Sequence, residues 1–361
     1  MSTVINYSIN LLSLFVIVSS VSLSNIDDVN TRERYSPLVL TPQNYEVSPG
    51  INYEYIYVKG DENGITKATI LFIHGFPSSF HSWRHQIGYF SRQGYDSLAP
   101  NLMGYGKTYS PLNRDEYKMK SMTEHLITLL NHLHVSHVIV VGHDWGTHLA
   151  NRFVLYHPQQ TLGVALISGG YSAPALFDLD KAIEASRETI GYEILGYWKF
   201  FDAEDAAEII ENNLDSFIDL AFASDSTLWK TDLAPVGKAR NWLINGNRTT
   251  RGSYMTEEDY EIFRRYLAEG MQPKLNWYKA EIANIEWNVE KNLDPIIRQP
   301  VLLMGGTKDY VSLIAFLEGP NPYIVDLETI AVDTGHWVME ENPNAVNQEL
   351  DKWIKRILST R

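Results

Sequence analysis

The sequence predicts an α/β fold: a mainly parallel sheet with helices on both faces and a helical segment inserted before the last strands. Three observations carry this prediction. Short β-branched blocks alternate with amphipathic helical stretches from about Tyr53 to Ile167, the pattern of repeated strand-helix-strand units. The alternation lapses between Tyr171 and Leu293 and returns at Pro300. Finally, three strand-like blocks run directly into glycine-bearing turns that hold Asp144, Asp309 and His336.

The bulk numbers are compatible with such a domain plus an insertion, since 361 residues of 44% hydrophobic composition can bury a large core. A formal net charge of -14 argues against nucleic acid or an anionic membrane surface as a partner, because both would repel the chain. With no cysteine, disulfides, thiolate metal sites and a cysteine nucleophile are excluded. The segment Ile9 to Val21 is almost wholly apolar, and small residues at Ser20, Ser22 and Ser24 match a small-x-small cleavage pattern at its end. Residues 1–24 therefore read as a secretory signal peptide or, if uncleaved, as a membrane anchor, although no Lys or Arg precedes the apolar run and it is short for a span. A docked or disordered tail is the bland reading. The expectation is a secreted or lumenal protein with membrane contact only through this segment. Asn6-Tyr7-Ser8 and Asn247-Arg248-Thr249 match the glycosylation sequon.

Taken in order, residues 25–44 read as a polar linker and 45–170 as the first part of the core. Tyr53 to Lys59 alternates like an edge strand, with a turn at Asp61-Glu62-Asn63-Gly64. Ala68 to Ile73 follows as a buried strand ending in His74-Gly75-Phe76-Pro77. Trp83 to Arg92 reads as a helix and Tyr95 to Ala99 as a strand leading to Gly104-Tyr105-Gly106-Lys107-Thr108. Between Lys118 and Leu133, Met119, Met122, Leu126, Leu129, Leu130 and Leu133 share one helical face. Val138 to Val141 is a strand, Thr147 to Tyr156 a helix stopped by Pro158, and Leu162 to Ile167 another strand. Residues 171–293 form the helical insertion, a lid, with helices at Ala203 to Asn213 and Glu257 to Leu267. In the second core part, 294–361, a strand at Pro300 to Gly306, another within Ile324 to Val332, and a closing helix from Ala345 to Leu358 complete the fold.

The chemistry centres on Gly142-His143-Asp144-Trp145-Gly146. A sharp strand-to-helix turn needs small neighbours around a strained apex, and the G-x-S-x-G nucleophile elbow has this form. Here the apex is Asp. A carboxylate is suited to displacing a leaving group from saturated carbon, which leaves an alkyl ester that water then hydrolyses. The bland reading makes Asp144 a helix N-cap. In an elbow, one oxyanion donor is the N–H after the nucleophile, here Trp145; the loop after an earlier strand supplies the other, here Phe76. Because ligands of open parallel sheets bind beyond the carboxyl ends of the strands, Asp144, Asp309 and His336 are expected to converge. Singly, Asp309 is readable as a turn residue and His336 as one of 11 histidines. Jointly, their order is nucleophile, acid, histidine, the order of the α/β-hydrolase fold.

At this point the chain resembles the α/β-hydrolase-fold epoxide hydrolases of the soluble type. The likeness rests on His74-Gly75-Phe76-Pro77, Gly142-His143-Asp144-Trp145-Gly146, Gly104-x-Gly106-x-Thr108, Lys308-Asp309 and Gly335-His336-Trp337, and runs from about Tyr45 to the C-terminus. Asn276-Trp277-Tyr278 is similar to a lid motif of that family, and Tyr197 stands where its second lid tyrosine is expected, an ordinary packing role being the alternative. The resemblance implies attack by Asp144 on an epoxide carbon, with Tyr197 and Tyr278 as proton donors to the epoxide oxygen. His336, oriented by Asp309, would act as general base for ester hydrolysis, with His74 and Trp277 contributing to substrate binding. A vicinal diol would form from a small-molecule epoxide without metal or organic cofactor.

Two rivals share much of this pattern. A haloalkane dehalogenase uses the same Asp, acid and His, but its halide needs N–H donors and Phe76 offers none from its side chain. A fluoroacetate-type dehalogenase needs arginines near the elbow, where Trp145 and His148 stand. From another class, an inactive ligand-binding module on the same scaffold would be expected to lose a member of the constellation, and this chain keeps them all. Core packing selects the same lid aromatics as an apolar pocket, so substrate identity, enantiopreference and oligomeric state are not legible.

Overall fold

Eight strands form one sheet in the order β1-β2-β4-β3-β5-β6-β7-β8. They are β1 (Gln43–Ser48), β2 (Ile51–Val58), β3 (Thr69–Ile73), β4 (Asp96–Pro100), β5 (Val138–His143), β6 (Thr161–Ile167), β7 (Val301–Gly306) and β8 (Leu327–Val332). From β4 across to β8 every pairing is parallel, and β1 and β2 run antiparallel. The computed structural model describes residues 40–60, 66–314 and 321–359. The expected signal segment, the sequon at Asn6 and the turn at Asp61 to Gly64 lie outside these residues. Among the described residues no helix is long and apolar enough to cross a membrane.

β3 and β5 are buried at every position, which explains why they read as continuous apolar blocks. The helices α1 (Arg84–Arg92), α2 (Met119–His132) and α3 (Trp145–Tyr156) fill the crossovers between parallel strands, and the closing helix Pro343–Ser359 buries Val346, Leu350, Trp353, Ile354 and Ile357. One expectation needs correction. The Tyr53 strand is not at the edge; β1 takes that place, and it was unreadable because most of its residues are exposed or only partly covered. β2 instead buries Tyr53, Glu54, Tyr55 and Ile56 in succession. Glu54 is tolerated there because its carboxylate accepts from the Asn101 amide at 2.7 Å and from the Lys107 N–H at 3.2 Å. Thr108 completes this brace by donating to the Asn101 carbonyl at 2.8 Å.

Between Tyr171 and Leu293 the described elements are helical. They include α4 (Leu179–Ile190), α5 (Trp198–Phe201), α6 (Ala206–Asn212), α7 (Leu214–Ala221), a π-helical turn Trp229–Leu233, α8 (Lys238–Ile244), α9 (Glu257–Ala268), α10 (Gln272–Ile282) and α11 (Trp287–Glu290). This insertion packs into the same compact unit as the sheet. Its innermost member is α10, in which every residue from Pro273 to Ala280 is buried. A helix covered on all faces shows no apolar stripe, and α10 was not legible by periodicity.

Candidate active site

β5, β6, β7 and β8 are consecutive in the sheet, so the turns that leave β5, β7 and β8 share one edge. The first of these turns is the tightest. Asp144 has φ 53° and ψ −121°, a setting that L residues seldom adopt. A Cβ on Gly146 would fall 2.1 Å from the Ile73 carbonyl oxygen, and one on Gly142 would fall 2.3 Å from that of Gly146. Neither position has room for a side chain. The Asp144 carboxylate accepts nothing from the first turn of α3, so the helix-cap reading fails. Its Oδ1 accepts from the Phe76 N–H at 2.8 Å, and its Oδ2 lies 3.6 Å from Nε2 of His336. That distance permits a charge interaction and is long for a direct hydrogen bond.

His336 is fixed from several sides. Nδ1 is 2.7 Å from Oδ2 of Asp309. The other Asp309 oxygen accepts from the N–H groups of Val311 and Ser312, each at 3.0 Å. Backbone movement is restrained because the His336 carbonyl accepts from Ser168 Oγ at 2.7 Å and pairs with Nε2 of His143 at 3.0 Å. Burial disfavours charge on the imidazole, yet the Asp309 and Asp144 carboxylates outweigh it and raise the His336 pKa. Burial likewise pushes Asp144 upward and is outweighed by His336, His143 and the Phe76 N–H, which hold the carboxyl below its ordinary range.

A cleft lies over Asp144. Phe76, Phe201, Phe217, Trp229 and Leu233 make it apolar, and Tyr197, Tyr278 and His336 also face it. Tyr278 is gripped edge-on by Phe76, Trp145, Trp198 and Phe201, with ring centroids 5.1, 4.9, 5.1 and 4.9 Å away. Its ring is 6.0 Å from that of Tyr197, which opens α5 and donates its own N–H to the Ala234 carbonyl at 2.8 Å. Burial, reinforced by the Asp144 charge, raises both phenol pKa values, for Tyr278 with a further push from Tyr197. Both phenols therefore hold their protons and can donate them.

Two residues expected to contribute to substrate binding do not line this cleft. His74 is fully buried with both ring nitrogens engaged, Nδ1–H donating to the Gly75 carbonyl at 2.9 Å and Nε2 accepting from the Leu102 N–H at 3.0 Å. Burial keeps this ring neutral, with its pKa down to about 4, and it joins the ends of β3 and β4 instead of facing the cleft. Trp277 donates its indole N–H to the Met103 carbonyl at 2.9 Å and lines a different cavity, shared with Arg152 and Glu286. Conversely, sequence reasoning missed Phe217, Trp229, Leu233 and Val311 in the cleft wall; the first three lie in stretches without a motif, and Val311 follows the Lys308-Asp309 pair without belonging to it. Among the described residues no three His, Asp or Glu side chains are grouped to hold a metal ion.

A family model described as the alpha/beta hydrolase fold matches residues 68–343. The bifunctional epoxide hydrolase 2 of Rattus norvegicus is 28% identical over 313 residues, covering 86% of this chain and 54% of that protein. The chain thus spans about half the length of that curated relative. Epoxide hydrolase 3 of Siraitia grosvenorii is also 28% identical over 313 residues, covering 81% of this chain and 93% of its own. Among solved structures, epoxide hydrolase A from Mycobacterium thermoresistibile superposes with a TM-score of 0.73 at 23% identity, covering 88% of this chain and 98% of that one. The sheet order, the elbow at Asp144 and the family match over most of the chain lead to one conclusion: this protein belongs to the α/β-hydrolase fold family.

Proposed function

We propose that the chain is an epoxide hydrolase that converts an epoxide and water to a vicinal diol through an ester on Asp144. The observation that carries this reading is that the Asp144 carboxylate and two protonated phenols, Tyr197 and Tyr278, line one apolar cleft. Epoxide opening places negative charge on the ring oxygen, which phenol donors stabilise and protonate. Oδ2 of Asp144 is the attacking atom, because Oδ1 is held by the Phe76 N–H. Oδ1 then becomes the ester carbonyl oxygen. In the second step, water gives a proton to His336 and its oxygen to the ester carbonyl carbon, and the charge gathers on Oδ1. Phe76 N–H is already in place to meet that charge, and the Trp145 N–H, at the start of α3 where helix amides lack intrahelical acceptors, is the second donor. Collapse breaks the bond between the acyl carbon and the alkyl oxygen, which takes the proton from His336 and leaves as diol, while the acid proton left on Asp144 returns to the phenolate formed in the first step.

Esterification also prepares the base. While Asp144 is charged, two carboxylates favour a protonated His336. Once Asp144 is an ester, only Asp309 still does so, and the ring shifts toward the neutral form that can accept a proton from water.

Dehalogenase chemistry fits less well. The Phe76 side chain lacks a donor for a departing halide. Burial and the nearby Arg152 lower the His148 pKa to about 4, so His148 supplies no cation for a fluoroacetate carboxylate. Secretory delivery or anchoring through residues 1–24 belongs to the same proposal. Asn247 of the second sequon is exposed on the lid, and glycosidase treatment of the exported chain would lower its mass if a glycan is attached there.

A single turnover in oxygen-18 water with an aryl epoxide tests the route. Diol carrying protein-derived oxygen in the first turnover, followed by label in the Asp144 peptide, is the expected result. Solvent oxygen in the first-turnover diol would refute Asp144 as nucleophile, and halide release from haloalkanes without epoxide turnover would move the assignment to dehalogenase.

A further inference from the structure

A second cavity also reaches His336, and neither Tyr197 nor Tyr278 lines it. It shares three residues with the apolar cleft: Ala221, Trp229 and His336. Its other walls differ in kind, since Ser224, Ser226, Tyr254, Lys308 and Glu341 bring hydroxyl, ammonium and carboxylate groups to it, and exposed Ser224 stands at its outer side. Trp229 lines both spaces. Its ring lies on that of His336, with centroids 4.8 Å apart at 38°, and its indole N–H is tied to the Leu220 carbonyl at 2.8 Å. The turn that carries Trp229 is π-helical, a rare backbone form that recurs at functional sites.

Resting on the hydrolase reading, we propose that the polar cavity is the water supply for ester hydrolysis and that Trp229 is the positioning residue that keeps this supply apart from the substrate cleft. The physical argument concerns occupancy. After the first step the alkyl group of the ester fills the cleft and places its new oxygen at Tyr197 and Tyr278, the polar groups that a water molecule there would otherwise use. Water must nevertheless reach the acyl carbon of Asp144 beside His336. The polar cavity touches His336 and Asp309, has groups that retain water, and is not lined by Asp144, the residue that carries the alkyl group. Water enters from there, gives its proton to His336, and bonds through oxygen to the acyl carbon while the alkyl oxygen departs and takes the proton. A fixed Trp229 keeps the first step dry and admits water only beside the base.

Narrowing the cavity without touching the cleft separates the two steps. Ser226→Phe and Ala223→Phe each place a ring in the polar cavity, and neither residue lines the cleft. Rapid-quench intact-mass measurement of the epoxide adduct reads both rates. Ester formation is expected to stay within about twofold of the parent while hydrolysis slows by roughly tenfold or more, so that adduct accumulates and kcat and KM fall together with kcat/KM kept. Ser226→Ala, which leaves the passage open, is expected to retain both parental rates. A variant that forms the ester has an intact cleft, so ester hydrolysed at the parental rate by either Phe variant overturns the proposal. Loss of hydrolysis in Ser226→Ala overturns it too, by making the hydroxyl and not the space decisive. Absence of any adduct in the parent chain would instead overturn the hydrolase reading.

Discussion

A Cβ on Gly75 would stand 2.4 Å from Oδ1 of Asp144. The carboxylate occupies the space that a side chain at position 75 would take, and the next N–H along the chain, that of Phe76, meets the same oxygen at 2.8 Å. The glycine of the His74-Gly75-Phe76-Pro77 turn thus serves the nucleophile directly, beyond any freedom it gives the turn.

Gly75→Ala is therefore expected to displace the Asp144 carboxylate and the Phe76 donor together. Misplacing reacting groups by about 1 Å costs on the order of a hundredfold in rate, so both ester formation and hydrolysis should fall by about that factor. Far-UV circular dichroism should remain near the parent's. Parental single-turnover rates in a folded variant would show that the contact does not position Asp144.

Asp309→Asn should divide the two steps differently. With Asp309 Oδ2 2.7 Å from His336 Nδ1, the carboxylate orients the ring and stabilises its protonated form once water has been deprotonated. An amide does neither well, and comparable substitutions behind a catalytic histidine lower rates by roughly ten-thousandfold. Ester formation needs only the Asp144 carboxylate and the phenols, so the variant is expected to accumulate adduct, visible as a persistent mass increase. Slow ester formation with no accumulation would assign Asp309 to the first step instead.

Tyr197→Phe and Tyr278→Phe remove one phenol each while keeping the ring that packs against Phe201. General acid assistance contributes on the order of a hundredfold or more. Each single variant should lose part of this in the rate of ester formation, because the remaining phenol still donates, and the double variant should lose most of it. Hydrolysis of ester already formed should change little. Equal loss in the hydrolysis step would argue that the phenols hold the attacking water.

Much of this site was legible because its constraints act locally. An elbow requires Gly142 and Gly146 whatever surrounds it, and buried parallel strands such as β3 and β5 are apolar at every position. β1 escaped notice for the opposite reason, its exposed face carrying no alternation. His74 and Trp277 sit in recognisable motifs, but a motif does not distinguish a residue that braces the backbone from one that faces the cleft; their hydrogen bonds to Gly75, Leu102 and Met103 do. Phe217 and Trp229 come from separate parts of the lid, and ordinary core packing would select the same residue types, so only the tertiary arrangement assigns them to the cleft wall.

Glu286 gives a prediction that concerns stability alone. It lies between α10 and α11, beside a cavity also lined by Arg152 and Glu290. Burial, aided by the charge of Glu290, pushes its carboxyl up to about 7 from an ordinary value of 4.5. The folded state therefore holds this proton more tightly than the unfolded chain does. Between those two values the folded state binds more protons, so the contribution of Glu286 to stability is fully present below about pH 4.5 and is lost as pH rises toward and through 7. Glu286→Gln removes the titration and leaves the shape. The melting temperature of the variant relative to the parent should thus climb by about a few degrees from pH 5 to pH 8, given the roughly 1–2 °C per kcal/mol expected for a chain of this size. Glu340, whose burial also lifts its carboxyl to about 7, titrates in both proteins and cancels from the difference. A difference in melting temperature that stays flat across this range would mean that Glu286 is not held protonated in the fold.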